Sequence, residues 1–104
     1  MSLNRLEALK NILAQRPGDA LARYGLAMEY VQAARYEQAV AEFRILLASQ
    51  PGHAYACLQA GQTLEKLGRP GEAREMYARG IEATERQPDA HVRDKLRAAL
   101  EQLG

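Results

Sequence analysis

Few side chains in this sequence have the chemistry that metal binding or acid–base catalysis requires. His53 and His91 are the two histidines, and neither has an acidic or cysteine neighbour at metal-ligand spacing. Proton-transfer catalysis needs paired groups in a cleft. The candidate carboxylates, Glu29 and Glu65, do not occupy matching positions, because Thr63 stands 34 residues after Glu29. The sequence therefore predicts no catalytic residue, no metal and no cofactor, and we interpret these groups as helix-edge histidines and solvated glutamates.

Two segments contain residues that could bind phosphate, and neither has the sequence pattern of a phosphate-binding site. Residues 68–71 read Gly-Arg-Pro-Gly, which is typical of a helix–helix turn and lacks the lysine of a phosphate-binding loop. Basic residues gather near the C-terminus, but acidic residues lie between them at pairing distances such as Glu82/Arg86 and Asp89/Arg93. The cluster comprises Arg86, Arg93, Lys95 and Arg97, with Glu85, Asp89 and Asp94 interleaved. A solvated, self-paired face is favoured over a nucleic-acid site.

The charge balance and composition give no reason to expect nucleic acid or a membrane as a partner. Fourteen Lys and Arg residues balance thirteen Asp and Glu residues, which leaves a net charge of +1. No apolar run approaches the roughly 20 residues that span a bilayer, and residues 1–16 carry charges among their leucines, unlike a signal peptide. The single cysteine, Cys57, excludes an internal disulfide and fits a reducing compartment. We therefore expect a soluble, cytoplasmic protein.

Prolines and glycines divide the chain into segments that each have helical periodicity. Within a segment, apolar residues recur at i, i+3, i+4 and i+7, as Ala39, Val40, Phe43 and Leu47 do between two breaks. Strand signals are absent, because β-branched residues are few and no segment alternates with period two. Six helices are predicted, at residues 3–15, 19–33, 36–49, 53–67, 70–86 and 89–103.

The helices recur in pairs with a stride of 34 residues. Pro17 aligns with Pro51, and the glycine that follows each proline aligns as well. Ala39 aligns with Ala73, and an aromatic residue follows four positions later in each copy. A helix pair that recurs at this spacing indicates a solenoid, in which each unit covers the exposed face of its neighbour.

On these residues the chain resembles the tetratricopeptide repeat family, whose 34-residue repeat carries small and large positions in a fixed order. The resemblance implies an all-α fold, an α-α superhelix built as a right-handed solenoid of antiparallel helix pairs, with about six helices in one domain. That domain would comprise a half-repeat helix at 1–17, repeats at 20–53 and 54–88, and a capping helix at 89–104. The second repeat closes three residues late, at Pro88, so the fifth helix should run nearly a turn longer. Arg23 and Cys57 stand where the family often has tryptophan.

The second helix is apolar on two sides and must be covered on both. One side packs on the third helix, and the resemblance implies that the other faces an inner, concave surface. The predicted groove has an apolar, aromatic floor and a polar far end, and its residues are Leu21, Tyr24, Met28, Val31, Tyr55, Leu58, Gln62 and Glu65. The repeats that grip the C-terminal carboxylates of chaperones use cations and asparagine on this face, and the matching positions here hold no cation: they are Tyr24, Gly25, Met28, Leu58, Gln59 and Gln62. The resemblance therefore does not extend to a carboxylate clamp.

These observations leave three functions open. The first is a protein–protein interaction scaffold, not an enzyme, which binds a peptide or helix of a partner protein in this groove. The second is a self-associating structural repeat, a homodimer with the inner face buried. The third, a nucleic-acid-binding helical repeat, requires binding that weakens steeply with salt. A cover formed by the first helix over Leu21, Tyr24 and Met28 is the structural alternative to a free groove.

Overall fold

The computed structural model describes residues 3–104, and within that range the chain forms six α-helices joined by short turns. The helices are α1 Leu3–Gln15, α2 Ala20–Gln32, α3 Tyr36–Ser49, α4 Ala54–Lys66, α5 Pro70–Arg86 and α6 Ala90–Leu103. Each begins and ends within one residue of its predicted bounds, and the described residues contain no strand. Each helix packs against the next along the chain. The predicted fold class, an all-α helical repeat superhelix, is confirmed.

The turns within the helix pairs end α2 and α4 in the same way. Ala34 (φ 58°) and Gly68 (φ 73°) take up the left-handed backbone conformation. The backbone N–H of the following residue then donates to the carbonyl oxygen of Tyr30 or Leu64, at 2.9 Å in both cases. This is the Schellman motif, in which the left-handed residue is usually glycine because a Cβ is disfavoured there. The first repeat therefore holds backbone strain, at Ala34, that the second avoids.

Three helices begin at a side chain that caps the first turn. Asp19 caps α2, His53 caps α4 and Asp89 caps α6, and each accepts a hydrogen bond from the backbone N–H three residues further on. The helices α3 and α5 begin without a side-chain cap, and α5 has Pro70 in its first turn, where a missing N–H costs nothing. Of the capped helices, α4 and α6 also pack on each other.

Small residues lie where helices cross, as the repeat pattern predicted. Ala39 and Ala73 have no exposed surface, and Phe43 and Tyr77 are equally buried. A Cβ added to Gly61 would lie 2.3 Å from a carbon of the Tyr77 ring. The two helices α4 and α5 approach this closely because the position is glycine.

The predicted extension of the fifth helix is confirmed. The helix α5 has 17 residues and α3 has 14, and Pro88 follows Pro51 by 37 positions instead of 34. At a rise of 1.5 Å per residue, three more residues carry the chain about 4.5 Å further before it turns. The next helix, α6, packs on both α5 and α4 and closes that end of the core with the fully buried Val92 and Leu96.

An ion pair of low exposure joins the two helices of the first repeat. The guanidinium of Arg23 donates to both carboxylate oxygens of Glu42, at 2.9 and 3.3 Å, and to the carbonyl oxygen of Pro17 at 3.1 Å. Only 15% of each charged side chain is exposed. The arginine thus fills the position where the family often has tryptophan, and it holds α2 to α3 by hydrogen bonds as well as by packing.

Candidate partner-binding surface

Three of the four α2 residues of the predicted groove, Leu21, Tyr24 and Met28, line an apolar depression between α1 and α2. Leu21 is 83% exposed, and Tyr24 and Met28 are half-buried. Leu9 and Ile12 of α1 form the opposite wall, and the depression has a volume of about 530 Å³. The first helix therefore borders this surface without closing it.

Tyr24 connects this depression to the following helix pair. Its ring meets Phe43 edge-on, with the ring centroids 6.0 Å apart, and stacks on His53 at 5.4 Å with 15° between the planes. Burial raises the pKa of the Tyr24 hydroxyl, and the nearby Tyr55 raises it further. Tyr24 thus contacts α3 and the start of α4 at the same time.

A second, more polar cleft lies between α4 and α6, with a volume of about 670 Å³. Tyr55 is on its wall, and the Tyr55 ring lies 6.4 Å from that of His91 on α6. The remaining polar lining residues come from the two turns that precede α4 and α6, and they are Gln50, His53, Gln87 and Asp89. Sequence reasoning did not assign these residues to the groove, although the late proline at position 88 marked the place where the stride changes.

The predicted polar end of the groove forms a third depression, of about 290 Å³. It is lined by Val31, Gln62 and Glu65, together with three neighbours on α4, which are Gln59, Thr63 and Lys66. The hydroxyl of Tyr77 donates a hydrogen bond to the Glu65 carboxylate, and burial, more than this bond, raises the pKa of that hydroxyl. Glu65 is therefore tied to α5 and is only partly available to a partner.

One predicted groove residue, Leu58, belongs to the core. It is 3% exposed and packs with the other buried apolar residues of α3 to α6. Its counterpart one repeat earlier, Tyr24, stays half-buried because α2 has neighbours mainly on α1 and α3, whereas α4 also packs on α5 and α6. Seven of the eight predicted residues therefore line three separate depressions instead of one continuous groove.

The titratable side chains that could take part in catalysis or metal binding are engaged in structural contacts or buried. The interpretation of Glu29 as a solvated glutamate is wrong, because Glu29 is 7% exposed and pairs with Arg5 at 2.7 Å. His53 caps α4. Cys57 is buried, and burial raises the pKa of its thiol, which Arg79 only partly offsets. Across the described part of the chain, no three His, Cys, Asp or Glu side chains are placed to hold a metal ion.

The C-terminal basic cluster is partly self-paired, with one difference from the expected partners. Arg86 pairs with Glu82 at 2.8 Å, as predicted. Arg93 pairs with Asp94 at 3.4 Å and not with Asp89, because the Asp89 carboxylate accepts the N–H that opens α6.

Within residues 3–104, none of the helices combines the length and apolar character that crossing a bilayer requires.

Paired helices that stack with a nearly constant stride define a helical solenoid protein. A sequence profile of the tetratricopeptide repeat family matches residues 30–100, and the chain belongs to that family. Domains of this family generally mediate protein–protein interactions, and they are generally non-enzymatic. No curated protein is found that matches the chain in sequence.

Solved structures agree with this assignment. The crystal structure of a tetratricopeptide repeat domain protein from Salinibacter ruber is 27% identical with a TM-score of 0.77, and the match covers 82% of this chain and 94% of that one. A Bordetella parapertussis protein, solved in solution, is 26% identical with a TM-score of 0.82, covering 99% and 88%. MamA, 19% identical with a TM-score of 0.72 over 94% and 64%, shares the fold.

Proposed function

We propose that this chain is a scaffold for protein–protein interaction, which binds a peptide or helix of a partner protein on the surface formed by α2, α4 and the start of α6. Membership of the family supports the interaction role. The observation that carries the placement is Leu21, 83% exposed at the edge of an apolar depression that Tyr24 and Met28 also line. We place the module in the reducing cytoplasm because its one cysteine, Cys57, is buried and unpaired.

The chemistry of the surface indicates what a partner must offer. The depression beside Leu21 has the size and apolar lining to take one or two large apolar side chains, such as those on one face of a helix. Tyr24 and Tyr55 offer flat apolar area, and Met28 adapts its shape to what it contacts. The cleft beyond Tyr55 offers amide and carboxylate groups, so the same partner segment should continue with polar residues.

The test compares two exposed apolar side chains on different helices, α2 and α3. Leu21→Ser alters the proposed surface, and Ile45→Ser alters α3, where Ile45 is 50% exposed. Affinity capture from the native cell should recover a set of proteins with the wild type and with Ile45→Ser but not with Leu21→Ser. Recovery of the same proteins by all three forms would contradict the placement of the site.

Burial of the same depression by a second copy of the chain is the alternative, since Leu21 would then be covered in a homodimer. Size-exclusion chromatography with light scattering at two protein concentrations distinguishes the two. A monomer at both concentrations leaves the surface free for a partner. A dimer that Leu21→Ser dissociates would support self-association instead.

A further inference from the structure

The helices α2, α4 and α6 begin with side chains that play the same role but differ in chemistry. Asp19 Oδ1 accepts from the backbone N–H of Ala22 at 3.0 Å, and Asp89 Oδ1 accepts from that of Val92 at 3.3 Å. At the start of α4 the acceptor is a histidine ring nitrogen, and the backbone N–H of Ala56 donates to His53 Nδ1 at 3.0 Å. The middle helix thus has a titratable imidazole in the place that aspartate holds in its two neighbours.

The same imidazole also supports the proposed partner surface. Its ring stacks on Tyr24, and Tyr24 in turn lies against Phe43. His53 is therefore at once the cap of α4 and the contact that positions Tyr24 between the two repeats. A change in its ring orientation would alter the helix start and the surface together.

Only the neutral imidazole can make this cap. Nδ1 accepts a hydrogen bond when the proton is on Nε2, whereas in the protonated ring both nitrogens are donors. A cation at this place is also opposed by the positive end of the helix dipole of α4. Both effects favour the neutral form, and burial acts in the same direction by lowering the pKa of the His53 imidazole, against a smaller opposing effect of its own backbone carbonyl.

The groups around His53 do little to stabilise its charged form. From α2 it faces the Tyr24 ring, and on its own helix the neighbouring titratable group is Tyr55. Phe43 on α3, which lies behind Tyr24, does not titrate. Among the described residues that line the α4–α6 cleft with it, Asp89 is the charged one, and its carboxylate is already bound to the start of α6.

We propose that His53 is an acid-sensitive cap, whose protonation releases the start of α4 and loosens the Tyr24 stack, so that the partner surface weakens as the solution is acidified from neutral pH. The inference concerns the regulation of the site named above and rests on the proposed function for its effect on a partner. Its effect on the helix start and on Tyr24 does not need a partner and can be measured on the protein alone.

The first experiment measures urea unfolding of the full chain at pH 7.5 and pH 5.0. The neutral cap stabilises the fold fully at pH values above the ordinary histidine pKa of about 6.5, which applies to the unfolded chain. This stabilisation is lost as the pH falls through the lower pKa that His53 has in the folded protein. The unfolding equilibrium constant of the wild type should therefore rise on acidification by about 2- to 30-fold more than that of His53→Asp, the range expected for loss of an N-cap.

Two further variants keep this comparison interpretable. His53→Asn restores a good, non-titrating cap and should behave like His53→Asp. His91→Asn removes the other histidine, which is exposed, and should keep the pH dependence of the wild type. Equal pH dependence in the wild type and both His53 variants would overturn the proposal.

The second experiment follows NMR signals during a pH titration. At neutral pH the His53 proton should be on Nε2, and on acidification the Ala56 amide and the Tyr24 ring signals should move together with His53. A His53 that titrates while Ala56 and Tyr24 stay unchanged would overturn the link. These readouts do not depend on affinity capture. If Ala56 and Tyr24 titrate with His53 but the capture fails, the partner site is refuted and the acid-sensitive cap stands. If the capture succeeds but the signals do not titrate together, the acid-sensitive cap alone is refuted.

Discussion

Gly61→Ala provides the most direct test of the packing between α4 and α5. A Cβ at this position would lie 2.3, 2.6 and 2.8 Å from three carbons of the Tyr77 ring, distances that real Cβ atoms essentially never show. The ring has no exposed surface, and its hydroxyl is bound to Glu65. It can therefore make room only by losing that hydrogen bond or by pushing the two helices apart.

The expected effect is the difference between two opposing contributions. Alanine is favoured over glycine inside a helix by about 1 kcal/mol. Overpacking a well-filled core costs about 1–3 kcal/mol, and contact with a rigid, enclosed ring puts this case near the upper end. The free energy of unfolding should thus fall by about 2 kcal/mol, which lowers the melting temperature by roughly 8–16 °C for a domain near this size.

Two other glycines serve as matched controls in the same urea-unfolding assay, followed by circular dichroism. Gly71→Ala, in α5, meets nothing within 4 Å and should raise the free energy of unfolding by up to about 1 kcal/mol. Gly25→Ala meets the flexible end of Leu9 at 3.3 Å and should change stability little. The predicted order of stability is therefore Gly71→Ala, then Gly25→Ala, then Gly61→Ala.

A Gly61→Ala protein as stable as the wild type would refute this reasoning. It would mean that α4 and α5 are further apart in solution than in this structure or that the Tyr77 ring has room to turn. The same change made in a Tyr77→Leu background should cost less than in the wild type, because the ring that the Cβ meets is gone. The coupling energy between the two changes should lie in the range of about 0.5–3 kcal/mol found for residues in contact.

Two more predictions concern the turn within each repeat and the Arg23–Glu42 pair. Ala34→Gly relieves a left-handed alanine and should stabilise the protein by about 0.5–1 kcal/mol. Gly68→Ala, at the matching position of the second repeat, should destabilise it by about 1 kcal/mol. Melting temperatures that shift in the same direction for both variants would contradict the assigned turns. Glu42→Gln leaves Arg23 without its charged partner at a site of 15% exposure and should cost about 1–3 kcal/mol in urea unfolding. A double-mutant cycle with Arg23→Gln that gives no coupling would show that the pair does not stabilise α2 against α3.

The features of the fold that depend on local pattern could be predicted from the sequence. Proline and glycine mark the turns, and the periodicity between them marks one face of each helix, so all six helices were located to within a residue. The same pattern put Ala39 and Ala73 at the crossings, where they are fully buried. It also predicted the longer α5, because the delay of Pro88 is visible in the sequence itself.

The surface was harder to predict because it depends on how many neighbours each helix has. Leu58 matches Tyr24 in the repeat, but α4 lies in the middle of the stack and α2 lies near its end, so the same position is covered in one and open in the other. The role of His53 as a cap also escaped sequence reasoning. Its alignment with Asp19, 34 residues earlier at the start of α2, was the available signal.

The change of stride in the second repeat accounts for the different character of the two ends of the partner surface. Between α2 and α4 the regular stride lets Tyr24 stack on His53, so that crossing is closed. Between α4 and α6 the connection is two residues longer, because α5 is three residues longer than α3 and the turn after it is one residue shorter. The rings of Tyr55 and His91 lie 6.4 Å apart beside an open cleft lined by polar turns. If a partner segment lies across all three helices, its apolar residues must therefore meet Leu21 and its polar residues must meet the α6 end. The asymmetry would fix the direction in which that segment binds, and reversing the order of its apolar and polar halves should abolish binding.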